Sequence, residues 1–135
     1  MRIELTEKER NYFVILVSKA QKQLPHKIAN PNSVKMYWND KYNVENGILG
    51  SFNWIKKGEI DLSPLGKTVP DMIVSTVAHE LHHKWQFSHF GPLYCLMLVP
   101  GIRQVLLERS AKEVELKVDE LMEDEEFTKG ERESP

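Results

Sequence analysis

Apolar residues recur at the three- to four-residue spacing of an α-helix in three stretches of the chain. The first stretch follows a capping box formed by Thr6 and Glu9 and ends at Pro25; its apolar positions are Phe13, Leu16, Val17, Ala20 and Leu24. The second leads into residue 79. The third runs from about residue 102 to 122 and includes Val105, Leu106, Val114, Val118 and Leu121. These patterns predict an N-terminal, a central and a C-terminal helix.

Strand-like segments lie between the first and second helices. They cover residues 34–38, 48–55 and 59–62. Asn46-Gly47 is turn chemistry before the second segment, and Lys57-Gly58 suits a tight hairpin between the last two. We therefore predict an α+β fold, with a short antiparallel sheet of about three strands packed on the central helix and flanked by the other two helices.

Length and composition indicate one globular domain. The chain has 135 residues, of which 41% are hydrophobic and 28% charged, an ordinary balance for such a domain. Its net charge of −2 gives no overall basic field, which argues against a nucleic-acid partner. The end of the chain is acidic and poor in apolar residues, so we predict a domain over residues 1–122 and a disordered tail over residues 123–135.

We expect a cytoplasmic protein without stable membrane insertion. Charge follows the first five residues, where a signal peptide would have its apolar core. The most apolar stretch, residues 93–107, is too short to span a bilayer and is interrupted by Pro100-Gly101 and Arg103. Cys95 is the single cysteine and cannot form an internal disulfide, which fits a reducing compartment.

The central helix contains a His-Glu-x-x-His motif formed by His79, Glu80 and His83. Residues four apart lie one turn above each other, so both imidazoles can point at one metal ion. Glu80 lies about 100° round the same turn and can reach a water bound to that metal. Zn²⁺ suits this arrangement, with a third protein ligand and an open position for water. Four of the five histidines fall within residues 79–89, which favours a metal site over a solvated helix face with incidental histidines.

The run Ala78-His79-Glu80-Leu81-His82-His83 resembles the active-site helix of the zincin metallopeptidases. That resemblance implies a zinc-dependent peptidase that acts on peptides or proteins, with Glu80 as general base and a third ligand supplied downstream. It also implies an edge strand along the cleft that pairs with an extended substrate. Residues 50–54 are the candidate for this strand; alternatively, Phe52 and Trp54 simply pack the sheet.

Two residues are candidates for the third ligand. His89 lies where the metzincin pattern puts its third histidine, but Gln86 stands where that pattern has glycine. If the helix continues there, His89 rises roughly 9 Å beyond the motif. Glu115, followed by Asp119, resembles the Glu-x-x-x-Asp of the thermolysin-like gluzincins. That likeness implies Glu115 as the ligand and Asp119 as the group that orients His79. We predict Glu115, with His89 as the alternative.

The chain is too short for the large second lobe of thermolysin, and in this compactness it resembles small bacterial or phage zincin domains. Tyr94 is the candidate for a second hydrogen-bond donor to the oxyanion, and packing in an apolar loop is its other possible role.

The alternative to a peptidase is a zinc-bearing interaction or regulatory module that does not turn over. The presence of Glu80 favours the peptidase, because a structural zinc site needs no general base.

Overall fold

The computed structural model describes residues 2–45, 47–53, 58–99 and 101–128. Several residues used in the predictions lie outside these ranges: Asn46 and Lys57 of the turns, Trp54 of the edge strand and Pro100 of the helix break. The end of the predicted tail, 129–135, lies outside them as well. The fold combines helices with a sheet, so the predicted α+β class is confirmed.

The sheet differs from the prediction in strand number and direction. The described residues form four strands: β1 (Arg2–Glu4), β2 (Met36–Asn39), β3 (Gly50–Asn53) and β4 (Glu59–Leu62). Their order is β1-β2-β4-β3. β1 is antiparallel to β2 and β3 is antiparallel to β4, but β2 and β4 are parallel. The sheet is therefore mixed and has four strands, which corrects the predicted antiparallel sheet of about three strands.

The extra strand and the parallel pairing depend on contacts distant in sequence. β1 has only three residues, too few to show an alternating pattern. Its Arg2 contacts two carboxylates of β4, at 2.7 Å from Glu59 and 2.9 Å from Asp61. β3 and β4 form the expected hairpin, and β4 then lies beside β2, which leaves β3 at the sheet edge. Apolar alternation specifies which face of a strand is buried, but not its neighbour.

Among the described residues, one α-helix lies between β1 and β2 along the chain, and the others follow β4. The helices are α1 (Glu7–Ala20), α2 (Leu65–Thr68), α3 (Val74–Phe90), α4 (Leu93–Met97), α5 (Arg109–Met122) and α6 (Glu125–Thr128). The capping box at Thr6 and Glu9 is confirmed by both of its hydrogen bonds. A 3₁₀ turn over Pro70–Ile73 leads into α3, which ends at Gly91 with a φ of 56°. None of the helices in the described part of the chain is both long and apolar enough to cross a membrane.

The core lies between the sheet and three helices, with α3 in contact with α1, α5, β3 and β4. The buried residues of α3 include Val74, Val77, Ala78 and Leu81, and those of α5 include Ala111, Val114, Val118 and Leu121. β3 approaches α3 closely at Gly50, where a Cβ atom would lie 2.7 Å from Cγ2 of Thr76. The absence of a side chain at Gly50 therefore lets the edge strand lie against the motif helix.

The start of the predicted tail is docked on the domain. In α6, Phe127 is 6% exposed and belongs to the hydrophobic core, and Thr128 is buried. The side-chain amine of Lys19 donates to the carbonyl oxygen of Phe127 and lies 5.1 Å from the centroid of its ring. A single aromatic residue thus anchors residues 123–128, which the prediction of a tail disordered from residue 123 did not allow for.

Candidate metal centre

The two motif histidines converge on one point at the cleft side of α3. They lie one helical turn apart, and their Nε2 atoms are 3.1 Å from each other. Potential ligand atoms of His79, Glu80 and His83 all lie within 4.8 Å of one another. Glu80 and His83 are buried, and His79 is partly buried. The opposite side of the helix packs into the core through Val77 and Leu81, so the fold fixes the direction in which the motif faces.

Glu108 supplies a carboxylate at the point where the two imidazoles converge. Its Oε1 lies 3.1 Å from Nε2 of His83, and its Oε2 lies 3.4 Å from Nε2 of His79. Glu108 is the last residue of a π-helical turn, Gln104–Glu108, that runs directly into α5. Such wide turns are frequent at functional sites. Here the turn ends at the residue that reaches both histidines.

These distances fit a bound metal ion. A tetrahedral zinc site with bonds of about 2.0–2.1 Å has edges of about 3.3–3.4 Å. The two Nε2 atoms are 3.1 Å apart, and each is approached by a different oxygen of Glu108, at 3.1 Å for His83 and 3.4 Å for His79. Two imidazole nitrogens at such a separation repel each other unless a proton or a cation lies between them. Two nitrogens and one carboxylate are also a donor set that zinc takes.

A second group of side chains contacts the other ring nitrogens of the two histidines. Nδ1 of His83 lies 2.7 Å from Oε1 of Gln86. Nδ1 of His79 lies 3.0 Å from Oε1 of Glu115, but the angle is not that of a hydrogen bond. A proton on Nδ1 leaves Nε2 free to donate its lone pair. Gln86 and Glu115 therefore lie where side chains that orient metal-binding imidazoles are found.

Gln86 is itself held in one orientation. It is 1% exposed, and its Nε2 donates to the carbonyl oxygen of Leu107 at 2.9 Å and to Oγ of Ser110 at 3.1 Å. Both acceptors belong to the segment that carries Glu108. Because the amide nitrogen donates to these two acceptors, the amide oxygen of Gln86 faces Nδ1 of His83. The N–H of the ring consequently lies on Nδ1 and the lone pair on Nε2.

The carboxylates determine the charge of the cleft side of α3. Burial disfavours a charged His79, but the carboxylates of Glu108 and Glu115 outweigh it and raise the pKa of His79 to about 10. The contact with His79, followed by that with His83, holds the pKa of Glu108 well below its usual range. Burial raises the pKa of Glu80. The site therefore favours a positive charge between its rings, supplied by a proton or by a metal ion.

His82 faces a different side of the helix from the two motif histidines, towards Lys27 and Ser110. Its Nδ1 is 2.5 Å from the carbonyl oxygen of Lys27, to which the ring N–H donates, and its Nε2 is 2.7 Å from Oγ of Ser110. Burial lowers the pKa of His82 to about 4. This ring is neutral at physiological pH and takes part in packing and hydrogen bonding.

The candidate metal ligands His79, Glu80, His83 and Glu108 line a cleft of about 920 Å³. One wall is the edge strand β3 with the residues just before it, and Tyr94, Leu98, Arg103, Gln104 and Lys112 also line the cleft. Of the segment predicted as the edge strand along the cleft, residues 50–54, Gly50, Ser51 and Phe52 line the cleft. Phe52 also packs against the ring of Phe87, at 5.8 Å between centroids, so the strand contributes to both the cleft and the packing.

Three other predicted site residues lie in different surroundings. His89 is exposed and stacks on Trp85 at 4.7 Å between ring centroids, because α3 continues through Gln86 to Phe90. Asp119 is exposed, whereas Glu115 contacts Nδ1 of His79, the atom that the prediction gave to Asp119. Tyr94 is buried, lines the cleft and packs edge-on against Phe87 at 5.5 Å.

Glu108 and Gln86 were not among the site residues predicted from the sequence. A signal for Glu108 exists: Leu107 and Val114 are buried seven residues apart, and Glu108 and Glu115 each follow one of them. Seven residues are close to two turns, so the two glutamates lie on the same side of the helix.

Comparison with known proteins found no relative of this chain. No protein-family model matches it, and no curated protein or solved structure matches it.

Proposed function

We propose that the chain is a zinc-dependent peptidase whose metal is bound by His79, His83 and Glu108. The observation that carries this proposal is the approach of both carboxylate oxygens of Glu108 to the pair of Nε2 atoms: Oε1 lies 3.1 Å from His83, Oε2 lies 3.4 Å from His79, and the two Nε2 atoms are 3.1 Å apart. Glu108 replaces Glu115, the third ligand predicted from the sequence, because its oxygens reach the two Nε2 atoms that the motif brings together. His89 is not part of this ligand set.

Two histidines and one carboxylate are the ligands of many catalytic zinc sites, which leave one position open. When bound there, zinc lowers the pKa of a water molecule and polarises a carbonyl group. In this proposal Gln86 holds the ring of His83 by a hydrogen bond at Nδ1, and the carboxylate of Glu115, 3.0 Å from Nδ1 of His79, attracts the ring proton to that nitrogen. Both effects leave the Nε2 lone pairs for the metal.

Glu80 is the proposed general base. It lines the cleft, and a carboxylate oxygen lies within 4.8 Å of ligand atoms of both motif histidines. Burial raises its pKa, which brings the carboxylate closer to the range in which it can take a proton from water and later give it to a leaving amine. The same residue therefore serves as base and then as acid.

A peptide is the proposed substrate because the cleft has a β-strand along its wall. Gly50, Ser51 and Phe52 line the cleft, and β3 is the edge of the sheet. An edge strand can bind an extended chain through its backbone N–H and C=O groups. These features agree with the resemblance of the motif helix to the zincins. Tyr94 lies on the cleft wall and remains the candidate for a second hydrogen-bond donor to the oxyanion.

The test combines metal analysis with one substitution. The purified chain should bind one zinc ion and cleave a pool of unstructured peptides. Glu80→Gln should keep the fold and the zinc, but lower turnover by at least about 10²–10⁴-fold, because glutamine cannot accept the proton. Ser88→Ala, an exposed position of the same helix, is the matched control and should leave turnover unchanged.

Two results would contradict the proposal. Equal turnover by the parent and Glu80→Gln would remove Glu80 from the chemistry. Zinc binding without turnover by the parent, over a broad pool of peptides, would favour an interaction or regulatory module that carries a metal.

A further inference from the structure

We propose that Arg103 binds a carboxylate group of the substrate, located within about two residues of the scissile bond. This inference rests on the proposed peptidase function and concerns which peptides the cleft accepts. Arg103 lies just before the π-helical turn that carries Glu108, its side chain lines the cleft, and it is 52% exposed.

Arg103 has most of its hydrogen-bonding capacity free. Its one charged partner in the described part of the chain is Glu108, whose Oε1 lies 3.5 Å from Nε. That separation exceeds the roughly 2.7–3.2 Å of an N–H···O hydrogen bond. No described residue accepts a hydrogen bond from the terminal nitrogens of the guanidinium. An arginine offers five N–H donors in a planar fork, so the group is available to a ligand in the cleft.

The other cation on this wall is already paired. Nζ of Lys112 lies 2.7 Å from Oε2 of Glu115. Glu108, by contrast, shares its negative charge with the metal when it acts as a ligand, so its attraction for Arg103 falls. Arg103 is then the cation of the cleft with the weakest protein partner. A negatively charged group of the substrate is the partner that such a site selects.

The position of Arg103 limits where that negative group lies. Oε1 of Glu108 is 3.5 Å from Nε of Arg103 and 3.1 Å from Nε2 of His83. Nε of Arg103 therefore lies no farther from Nε2 of His83 than these two distances together. That reach corresponds to about two residues of an extended peptide, at roughly 3.3 Å each.

A carboxylate fits the geometry of the guanidinium because its two oxygens accept two parallel N–H bonds. Two parts of a peptide can supply it: the free C-terminus, and the side chain of Asp or Glu. The chemistry of recognition is the same in both cases. The experiment must separate them by offering each carboxylate alone.

The substrates are three pools of synthetic hexapeptides, with cleavage measured by mass spectrometry. One pool has a free C-terminus and no acidic side chain, one has an amidated C-terminus and one acidic residue, and one is amidated without acidic residues. The zinc-loaded parent should prefer one of the first two pools. Arg103→Gln should lower kcat/KM for the preferred pool by roughly 10–100-fold, the loss expected when a bidentate hydrogen-bonded ion pair is removed. It should leave the uncharged pool within about threefold.

Two further variants identify the cause of any change. Arg109→Gln removes an exposed positive charge from the same part of the chain but not from the cleft, and should retain the parental preference. Arg103→Lys keeps the charge but not the fork, and should recover only part of the loss. All variants should bind zinc as the parent does. A lower zinc affinity of Arg103→Gln would mean that the arginine acts on Glu108 rather than on the substrate, and would overturn the inference.

A binding measurement separates this inference from the proposed function. The same pools are passed over immobilised, zinc-loaded Glu80→Gln protein, and retained peptides are compared with those on the Glu80→Gln, Arg103→Gln double variant. Retention that depends on Arg103, without cleavage by the parent, would support the inference and contradict the peptidase. Equal cleavage of all three pools would overturn the inference and leave the peptidase intact. Neither cleavage nor selective retention would overturn both.

Discussion

Helix α3 separates two polar clusters that contain buried or partly buried histidines and respond to protons in opposite ways. On the cleft side, the carboxylates of Glu108 and Glu115 outweigh burial and raise the pKa of His79 to about 10. On the other side, His82 contacts the carbonyl oxygen of Lys27 and a hydroxyl group, and burial lowers its pKa to about 4. Burial alone thus yields a neutral ring, and carboxylates from another helix create a site for a cation.

The two clusters meet at Gln86. Its amide oxygen contacts Nδ1 of His83 on the cleft side, and its nitrogen lies 3.2 Å from Nε2 of His82 and 3.1 Å from Oγ of Ser110 on the other side. The packing cluster therefore supports the orientation of a proposed ligand. Substitutions on the cleft side, on the other side and at Gln86 should therefore differ in their effects on zinc affinity and stability.

The largest effect is expected on the cleft side at Glu108. We expect Glu108→Ala to weaken zinc binding by more than about 100-fold, because it removes a ligand. Glu115→Ala should weaken it by only about 10–100-fold, the effect of losing a side chain that orients a ligand. The affinities are measured by competition with a chromophoric chelator at neutral pH.

Asp119→Asn is the matched control for these variants. It changes an exposed acid one turn beyond Glu115 and should leave zinc affinity unchanged. The reverse ranking, with Glu115→Ala losing the metal and Glu108→Ala retaining it, would restore the ligand predicted from the sequence. A large effect of Asp119→Asn would restore the orienting role predicted for that residue.

Local patterns in the sequence were sufficient for the elements that depend on near neighbours. The capping box at Thr6 and Glu9 joins residues three apart, and His79 and His83 share a face because they are four apart. In each case the partners lie within one helical turn. Spacing along the chain then specifies geometry almost without help from the rest of the fold.

Pairings between distant segments could not be obtained in that way. The parallel contact of β2 with β4 is not encoded by alternation in either strand. The prediction of Glu115 as ligand followed a motif of residues four apart, whereas the structure brings Glu108 to the Nε2 atoms and Glu115 to Nδ1 of His79. Which of the two glutamates faces which nitrogen depends on the axial position of α5 relative to α3. No local pattern specifies that position.

An intermediate effect is expected where the two clusters meet. Gln86→Met preserves length but leaves Nδ1 of His83 without its acceptor and removes the hydrogen bond from Gln86 to the carbonyl oxygen of Leu107. We expect about tenfold weaker zinc binding and a loss of about 1–3 kcal/mol in the free energy of unfolding. Zinc competition and urea denaturation of the metal-free protein measure the two effects. Unchanged zinc affinity together with lower stability would show that the two clusters are independent.

The smallest effect on the metal is expected at His82. His82→Leu should leave zinc affinity within about twofold of the parent, because the ring contacts no proposed ligand directly. It should nevertheless change how stability depends on pH. In the unfolded chain this histidine titrates near 6.5, and burial lowers the pKa of the folded protein's His82 to about 4.

A folded-state pKa below the unfolded value means that the unfolded chain binds the proton more readily. The contribution of His82 is therefore fully present above about pH 6.5 and is lost as the pH falls towards 4. We expect the parent to lose on the order of 1–2 kcal/mol across this window relative to His82→Leu. Urea denaturation at several pH values, with a chelator present so that zinc loss does not contribute, measures the difference between the two curves. The variant should be less stable at pH 7, since the hydrogen bond to Lys27 is gone, and the curves should approach each other on acidification. Parallel curves would show that His82 is not held neutral, and the contrast between the two sides of α3 would then not depend on charge.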